Sequence, residues 1–251
     1  MNTVVKEARL RFQQRDVHGG VTLLVDNLRT RHDQKKREGD LLTGPNLLLM
    51  GPPRVGKSLL AQRLEAGGGW LWVEYDYYRS AYWQIEDRLV RRSARELFYT
   101  TIAKTFPSGI LLEGDDLLSA DRSCVAGLDS GIDPLSAEHI QRLRRVSNFN
   151  YAAVGSATCT PEDKLRGMKR AHMVEPCWAV GMGEERLAQM ALGITGLSQR
   201  IQTLCLEHAI PFFDIHPDEF APHLVTAWRH LVATNPGRRA LPPLARWSAL
   251  T

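Results

Sequence analysis

The chain has 251 residues, 43% of them hydrophobic, and a formal net charge of +4. That is enough apolar material for one large α/β domain or two small ones, and it excludes an intrinsically disordered chain. No run of about 18 apolar residues occurs, so no membrane-spanning helix is predicted. The 32 basic residues are scattered among 28 acidic ones, so charge alone gives no argument for a nucleic-acid partner.

The N-terminal stretch MNTVVKEARLRFQQRD is charged throughout and lacks an apolar block followed by a small-residue cleavage site, so no signal peptide is predicted. Cys124, Cys159, Cys177 and Cys205 are widely separated, with no CxxC pair. That spacing fits reduced thiols in a cytoplasmic protein rather than a zinc knuckle or a disulfide framework. Residues 1–40 are expected to form an N-terminal helical extension. They hold one helical segment, GVTLLVDNLRTRHDQKKREG, whose Lys35, Lys36 and Arg37 suit the negative end of a helix dipole.

From Asn46 onward strand and helix signals alternate, the pattern of βαβ units on a parallel sheet. NLLLM is a continuous apolar run suited to a strand covered on both faces. KSLLAQRLEA follows as a helix that stops at Gly67-Gly68-Gly69, then WLWVEY as a second strand and WQIEDRLVRRSARELFYTTIAK as a long amphipathic helix. GILLEGDD reads as the third strand and NYAAVG as a weaker fourth. The clearest helical period lies in GEERLAQMALGITGLSQRIQTLCLEHA, with Leu187, Met190, Ala191, Ile194, Leu197, Ile201, Leu204 and Cys205 on one stripe. IPFFDI is a fifth strand and DEFAPHLVTAWRHLV a closing helix. The main domain is thus placed at 41–234. The tail at 235–251 carries too much proline for a helix, and is expected either to dock through Trp247 or to stay mobile.

Gly51, Gly56, Lys57 and Ser58 satisfy G-x-x-x-x-G-K-[ST] without a gap. Glycines let the backbone curl so that its N–H groups converge on an anion. A helix starting at Lys57 presents its positive end there. Lys57 reaches the outer phosphates, and the Ser58 hydroxyl can ligate magnesium. The motif lies between an apolar strand and a helix, the context that this chemistry needs. The predicted nucleotide-binding segment is Gly51, Pro52, Pro53, Arg54, Val55, Gly56, Lys57, Ser58 and Leu59.

Two acidic pairs follow. Glu74 and Asp76 sit near the end of the second strand, and Glu113 and Asp115 at the end of the third. Residues two apart in a strand share a face, and the carboxyl ends of parallel strands share an edge, where ligands bind. Both pairs are therefore expected near the loop, as magnesium ligands or as a base for an incoming hydroxyl. Asp116 reads as a helix cap. The aromatics Tyr75, Tyr77, Tyr78, Tyr82 and Trp83 could wall an acceptor or fill core, and core filling is expected of Tyr82 and Trp83.

On GPPRVGKS, EYDYYR and LLEGDD, the chain resembles P-loop small-molecule kinases of the shikimate, gluconate and nucleoside monophosphate kinase group, over residues 46 to about 233. The resemblance implies a P-loop NTPase three-layer sandwich of about five parallel strands with helices on both faces. It implies transfer of the γ-phosphate of ATP to a hydroxyl or phosphate of a small molecule, with Mg2+. Carried onto this chain, Asp76 becomes the base, Arg79 the acceptor clamp, and Asp115 or Glu113 the magnesium-side carboxylate beside Ser58. The group closes an arginine-rich lid after the fourth strand. Here the lid falls around 161–184, with Lys164, Arg166, Lys169 and Arg170; Arg166 and Arg170 are four apart and could share a face, although a solvated helix explains them equally well. The segment MVEPCWAVGMGEE matches no lid of the group, and His172 with Cys177 falls short of a metal site. HPDEF lies where the group holds adenine, and Asp214 before it is read as a cap.

The main alternative is an AAA+-like ATPase, which GPPRVGKS would also suit. Against it, the third strand ends in Glu-Gly-Asp-Asp rather than Asp-Glu, and no helical lid domain follows. A GTPase would want an Asn-Lys-x-Asp guanine reader, which does not occur. A nucleotide-binding regulator without turnover is the third reading. The expected partner is a small-molecule acceptor, with no membrane; a homodimer is compatible with the sequence.

Overall fold

A computed structural model of the chain describes residues 3–40, 42–67, 69–83, 85–114, 148–174 and 181–234. Two helices come first, α1 (Thr3–Gln13) and α2 (Val17–Arg37). The α/β part runs β1 (Asn46–Met50), α3 (Lys57–Ala66), β2 (Leu71–Glu74), α4 (Tyr75–Arg79), α5 (Arg88–Thr105), β3 (Ile110–Gly114) and β4 (Phe149–Gly155). It continues with α6 (Pro161–Val174), α7 (Glu184–Glu207), β5 (Phe212–Asp214), a 3₁₀ turn (Pro217–Glu219) and α8 (Phe220–Ala233). No described helix is long and apolar enough to cross a membrane.

The five strands form one sheet in the order β2-β3-β1-β4-β5, with every neighbouring pair parallel. β1 is central and wholly buried, as its unbroken apolar run requires. Its side chains alternate between two cores. Leu48 and Met50 join a cluster with α1, α2 and α5, while Leu47 and Leu49 join one with α3 and α8. Helix α7 contributes to both, through Ile201 and Cys205 on one side and Leu187, Ala191 and Ile194 on the other. The result is an α/β structure with a five-stranded all-parallel sheet and helices on each face.

The strand order creates a switch point. After β1 the chain moves toward β2, and after β4 it moves toward β5, although β1 and β4 are neighbours. Their onward segments diverge and leave a crevice at the carboxyl edge between them.

The first 40 residues hold two helices rather than the one expected. The α1 stripe is only three residues wide, Val5, Ala8 and Phe12, all fully buried, and charged neighbours mask so narrow a period. Asp16 caps α2 by accepting from the Gly19 N–H at 2.9 Å. Both helices brace α4. Arg9 donates to the Ser80 carbonyl at 2.7 Å, and Arg31 donates to the Tyr78 hydroxyl at 3.0 Å. Phe12 meets Tyr82 edge-to-face with ring centroids 5.6 Å apart, and its ring lies so close to Gly20 that a Cβ there would come within 2.6 Å of it. Phe12→Ala is expected to cost about 3–5 kcal/mol. A lowered midpoint in urea unfolding at unchanged slope would register it.

Two expectations need correction. The second strand ends at Glu74, and α4 begins at Tyr75, so Glu74 and Asp76 do not share a strand face. The tyrosines explain why. Tyr75 and Tyr78 turn inward at 0% and 1% exposure and stack on Tyr99 and Phe98 respectively. Burying both at i and i+3 needs a helical turn rather than an extended strand. Tyr82 is also core, at 1% exposure, and pairs its hydroxyl with that of Tyr75. Trp83 is only half-buried and lies against the Arg79 guanidinium at 4.4 Å, so it does not fill core as expected.

Candidate functional site

Residues 51–58 cross the carboxyl edge directly after β1. Three of them take positive φ: Gly51 at 149°, Arg54 at 63° and Gly56 at 94°. Gly56 caps α3 in the left-handed conformation. At Gly51 the constraint is also steric, since a Cβ would fall 2.0 Å from the Val154 carbonyl oxygen of β4. Only glycine lets the loop press onto the neighbouring strand.

The N–H groups of Arg54, Val55, Gly56 and Ser58 donate to no group among the described residues. Alternating positive and negative φ turns successive amides toward one side, and the α3 dipole adds to the same field. Lys57 is buried, at 5% exposure, and its ammonium donates to the Pro52 carbonyl at 2.6 Å. Its Nζ lies 4.0 Å from Glu113 Oε1 at the end of β3. The Ser58 hydroxyl donates to Glu113 Oε2 at 3.4 Å. β3 lies directly beside β1, with Leu49 in register with Glu113, so no strand separates loop from carboxylate. Lys57, Ser58 and Glu113 thus form one group. Asp115 lies outside the described residues, as do Asp116 and Cys177.

Asp76 and Arg79 form a second group, one strand further along. Glu74 is in register with Glu113 across the β2–β3 pair, and α4 starts from that end. Arg79 Nη2 sits 3.0 Å from Asp76 Oδ1. The proposed base and the proposed clamp are therefore joined to each other, with the indole of Trp83 behind the guanidinium.

Arg166 and Arg170 do share one face of α6. Both pair with Asp218 in the 3₁₀ turn after β5, and Arg166 also pairs with Asp163. These charged hydrogen bonds hold the Asp218 carboxyl below the usual carboxylate range. Gly167 packs on Pro217 in the same contact. Lys169 pairs with Glu184 at the start of α7. The two arginines thus fasten α6 to the segment HPDEF.

Lys164 behaves differently. It is 5% exposed and points into the crevice, where Nζ donates to the Arg54 carbonyl at 2.7 Å and to Ser156 Oγ at 3.1 Å. Burial pushes its pKa down to about 8, with Arg54 and Lys57 adding repulsion. Ser156, just past β4, is fully buried. Its N–H donates to Ser198 Oγ at 2.9 Å and its hydroxyl donates to the Ile215 carbonyl at 3.0 Å. Asp214 does more than cap a turn: its carboxylate accepts from the Ala157 and Thr158 N–H groups at 2.7 and 3.1 Å. Cys159 is a buried thiol pushed up to about 11. Ser156 and Ser198 were missed from sequence. Ser198 carries a faint signal, a small polar residue inside the apolar stripe of α7.

No protein-family model matches the chain, and no curated protein matches it at a significant level. Among solved structures it is similar to a protein called a "putative kinase" from Chloroflexus aurantiacus J-10-fl. That likeness has a TM-score of 0.34 and 17% sequence identity, over 61% of this chain and 80% of that one. A likeness at that level bears on neither activity nor substrate. Among the described residues no group of three or more His, Cys, Asp or Glu side chains is placed to hold a metal ion.

Proposed function

We propose that the protein binds ATP with magnesium on loop 51–58 and transfers the terminal phosphoryl group to a hydroxyl or phosphate oxygen of a small molecule. The observation that supports this reading is a run of four backbone amides that donate to no group among the described residues, beside the buried Lys57 ammonium. A polyphosphate has the charge and the acceptor oxygens to satisfy that set. The residues fit it: the loop floor at Gly51 has no room for a side chain, and the Lys57 ammonium meets the Pro52 carbonyl and the Glu113 carboxylate, oxygens that it can exchange for phosphate.

Ser58 and Glu113, with Asp115, are the residues that would hold magnesium, which when bound neutralises phosphate charge and orients the phosphates. Lys57 would stabilise charge on the outer phosphates. Asp76 would accept the proton of an acceptor hydroxyl; its carboxylate is 42% exposed and reachable from solvent. Arg79, backed by Trp83, would orient that carboxylate and meet the acceptor. Arg166 and Arg170 would serve as lid cations by exchanging Asp218 for phosphate, which would also exclude water from the site.

The test follows ADP release from Mg·ATP with fractions of a small-metabolite extract, against a control without extract. Release that requires one fraction, and that falls about 10²–10⁴-fold in Asp76→Asn, is the expected result. Release that ignores every fraction and rises steeply with protein concentration would instead mean an assembling ATPase.

A further inference from the structure

The crevice between β1 and β4 holds a buried lysine that the reading above does not use. Lys164 belongs to α6, 110 residues away in sequence from the loop carbonyl it meets. Its ammonium donates to the Arg54 carbonyl and to Ser156 Oγ, so it joins loop 51–58 to the end of β4. Arg54 is the one non-glycine residue of that loop with positive φ, a conformation that is strained for a residue bearing a side chain. A hydrogen bond from a cation to that residue's carbonyl offsets the strain.

We propose that Lys164 is a positioning residue for nucleotide binding: it holds the Arg54 peptide so that the loop amides face the phosphates, and it adds a second buried positive charge beside Lys57. This rests on the nucleotide reading of the loop and extends it to α6. The lid segment then acts in two ways. Its outer arginines grip Asp218, whereas its inward lysine shapes the phosphate site. Because one helix carries both, movement of α6 toward a bound nucleotide would be felt by the loop.

The charge makes the role measurable. The charged and titratable groups facing the ammonium are Arg54 and Lys57 from the loop side, Asp214 from β5 and Cys159 from the turn before α6. The Cys159 thiol is pushed up to about 11 and stays neutral through pH 9. In the free protein Lys164 gives up its proton near pH 8. A bound polyphosphate favours the charged amine, so its pKa rises on binding. The sign is fixed: binding takes up protons above pH 8, and affinity falls as pH rises. ATP itself does not titrate there, because the last phosphate pKa is about 6.

The experiment is calorimetric titration of the full chain with ATP at pH 7.0 and 8.5, in two buffers of different ionisation enthalpy. Wild type, Lys164→Met and Lys164→Arg are compared after circular dichroism confirms folding. The expected wild-type result is proton uptake at pH 8.5 and a weaker Kd than at pH 7.0. Lys164→Met should bind about 10- to 100-fold more weakly at pH 7.0, with the uptake abolished. Lys164→Arg should recover part of the affinity without the pH dependence, since an arginine stays charged. Wild-type binding without uptake overturns the proposal, and needs no variant to fold. Equal affinity and equal uptake in Lys164→Met overturn it too, while leaving the nucleotide reading intact. A wild type that binds no ATP overturns both.

Discussion

Lys57→Met is expected to lower kcat/KM for ATP by about 10²–10³-fold, with the fold retained. The ammonium is buried and donates to a loop carbonyl, so its charge is held in a site of low dielectric, where it acts most strongly on an anion. Methionine fills nearly the same volume without the charge, so packing beneath α3 is kept. It also leaves Glu113 without the nearby cation at 4.0 Å. A second variant, Lys57→Arg, separates charge from shape. A guanidinium keeps the charge but is too broad for the slot between Pro52 and Glu113, so it should recover little. ATP binding by calorimetry and turnover by ADP release decide the matter. Wild-type-like affinity in Lys57→Met would remove loop 51–58 from consideration as the phosphate site.

Glu113→Gln should weaken the magnesium dependence of ATP binding by about 10–100-fold and leave metal-free nucleotide binding nearly unchanged. The carboxylate is 5% exposed, lies in register with Leu49 on the adjacent strand, and faces Ser58. A buried carboxylate beside a hydroxyl at the edge of loop 51–58 is chemically suited to a hard divalent cation. Glutamine keeps the size and one acceptor oxygen but not the charge. A magnesium titration at fixed ATP reads the change directly. An unchanged magnesium midpoint would mean that Glu113 serves only to balance Lys57.

The loop at 51–58 was legible in the sequence because its requirements are local. Positive φ at Gly51 and Gly56, a lysine opening α3 and a hydroxyl after it are all properties of neighbouring residues. The five strands were legible for a related reason. Continuous apolar runs such as NLLLM bury both faces, and the helices between them carry their own periods. Glu113 falls near the carboxyl end of β3, as the apolar run ILL before it leads one to expect, because β3 remains a strand to Gly114.

Other features depended on partners far along the chain. The stretch around Asp76 reads as an extended strand until the aromatic core beneath it is known, since Phe98 and Tyr99 of α5 pull Tyr75 and Tyr78 inward. Helix α1 offers too narrow an apolar stripe to be seen without α2 and Tyr82, against which Phe12 packs. In α6, the spacing of Arg166 and Arg170 correctly put them on one face, but spacing does not say what that face meets, and it meets Asp218. Lys164 is the sharpest case. Alone it is one more cation in a charged helix, and only the switch point between β1 and β4 brings it to the Arg54 carbonyl. Sequence determined the chemistry that backbone geometry and residue type carry locally. Tertiary structure decided which charges are buried and against what, because burial depends on which distant segments the sheet order brings together.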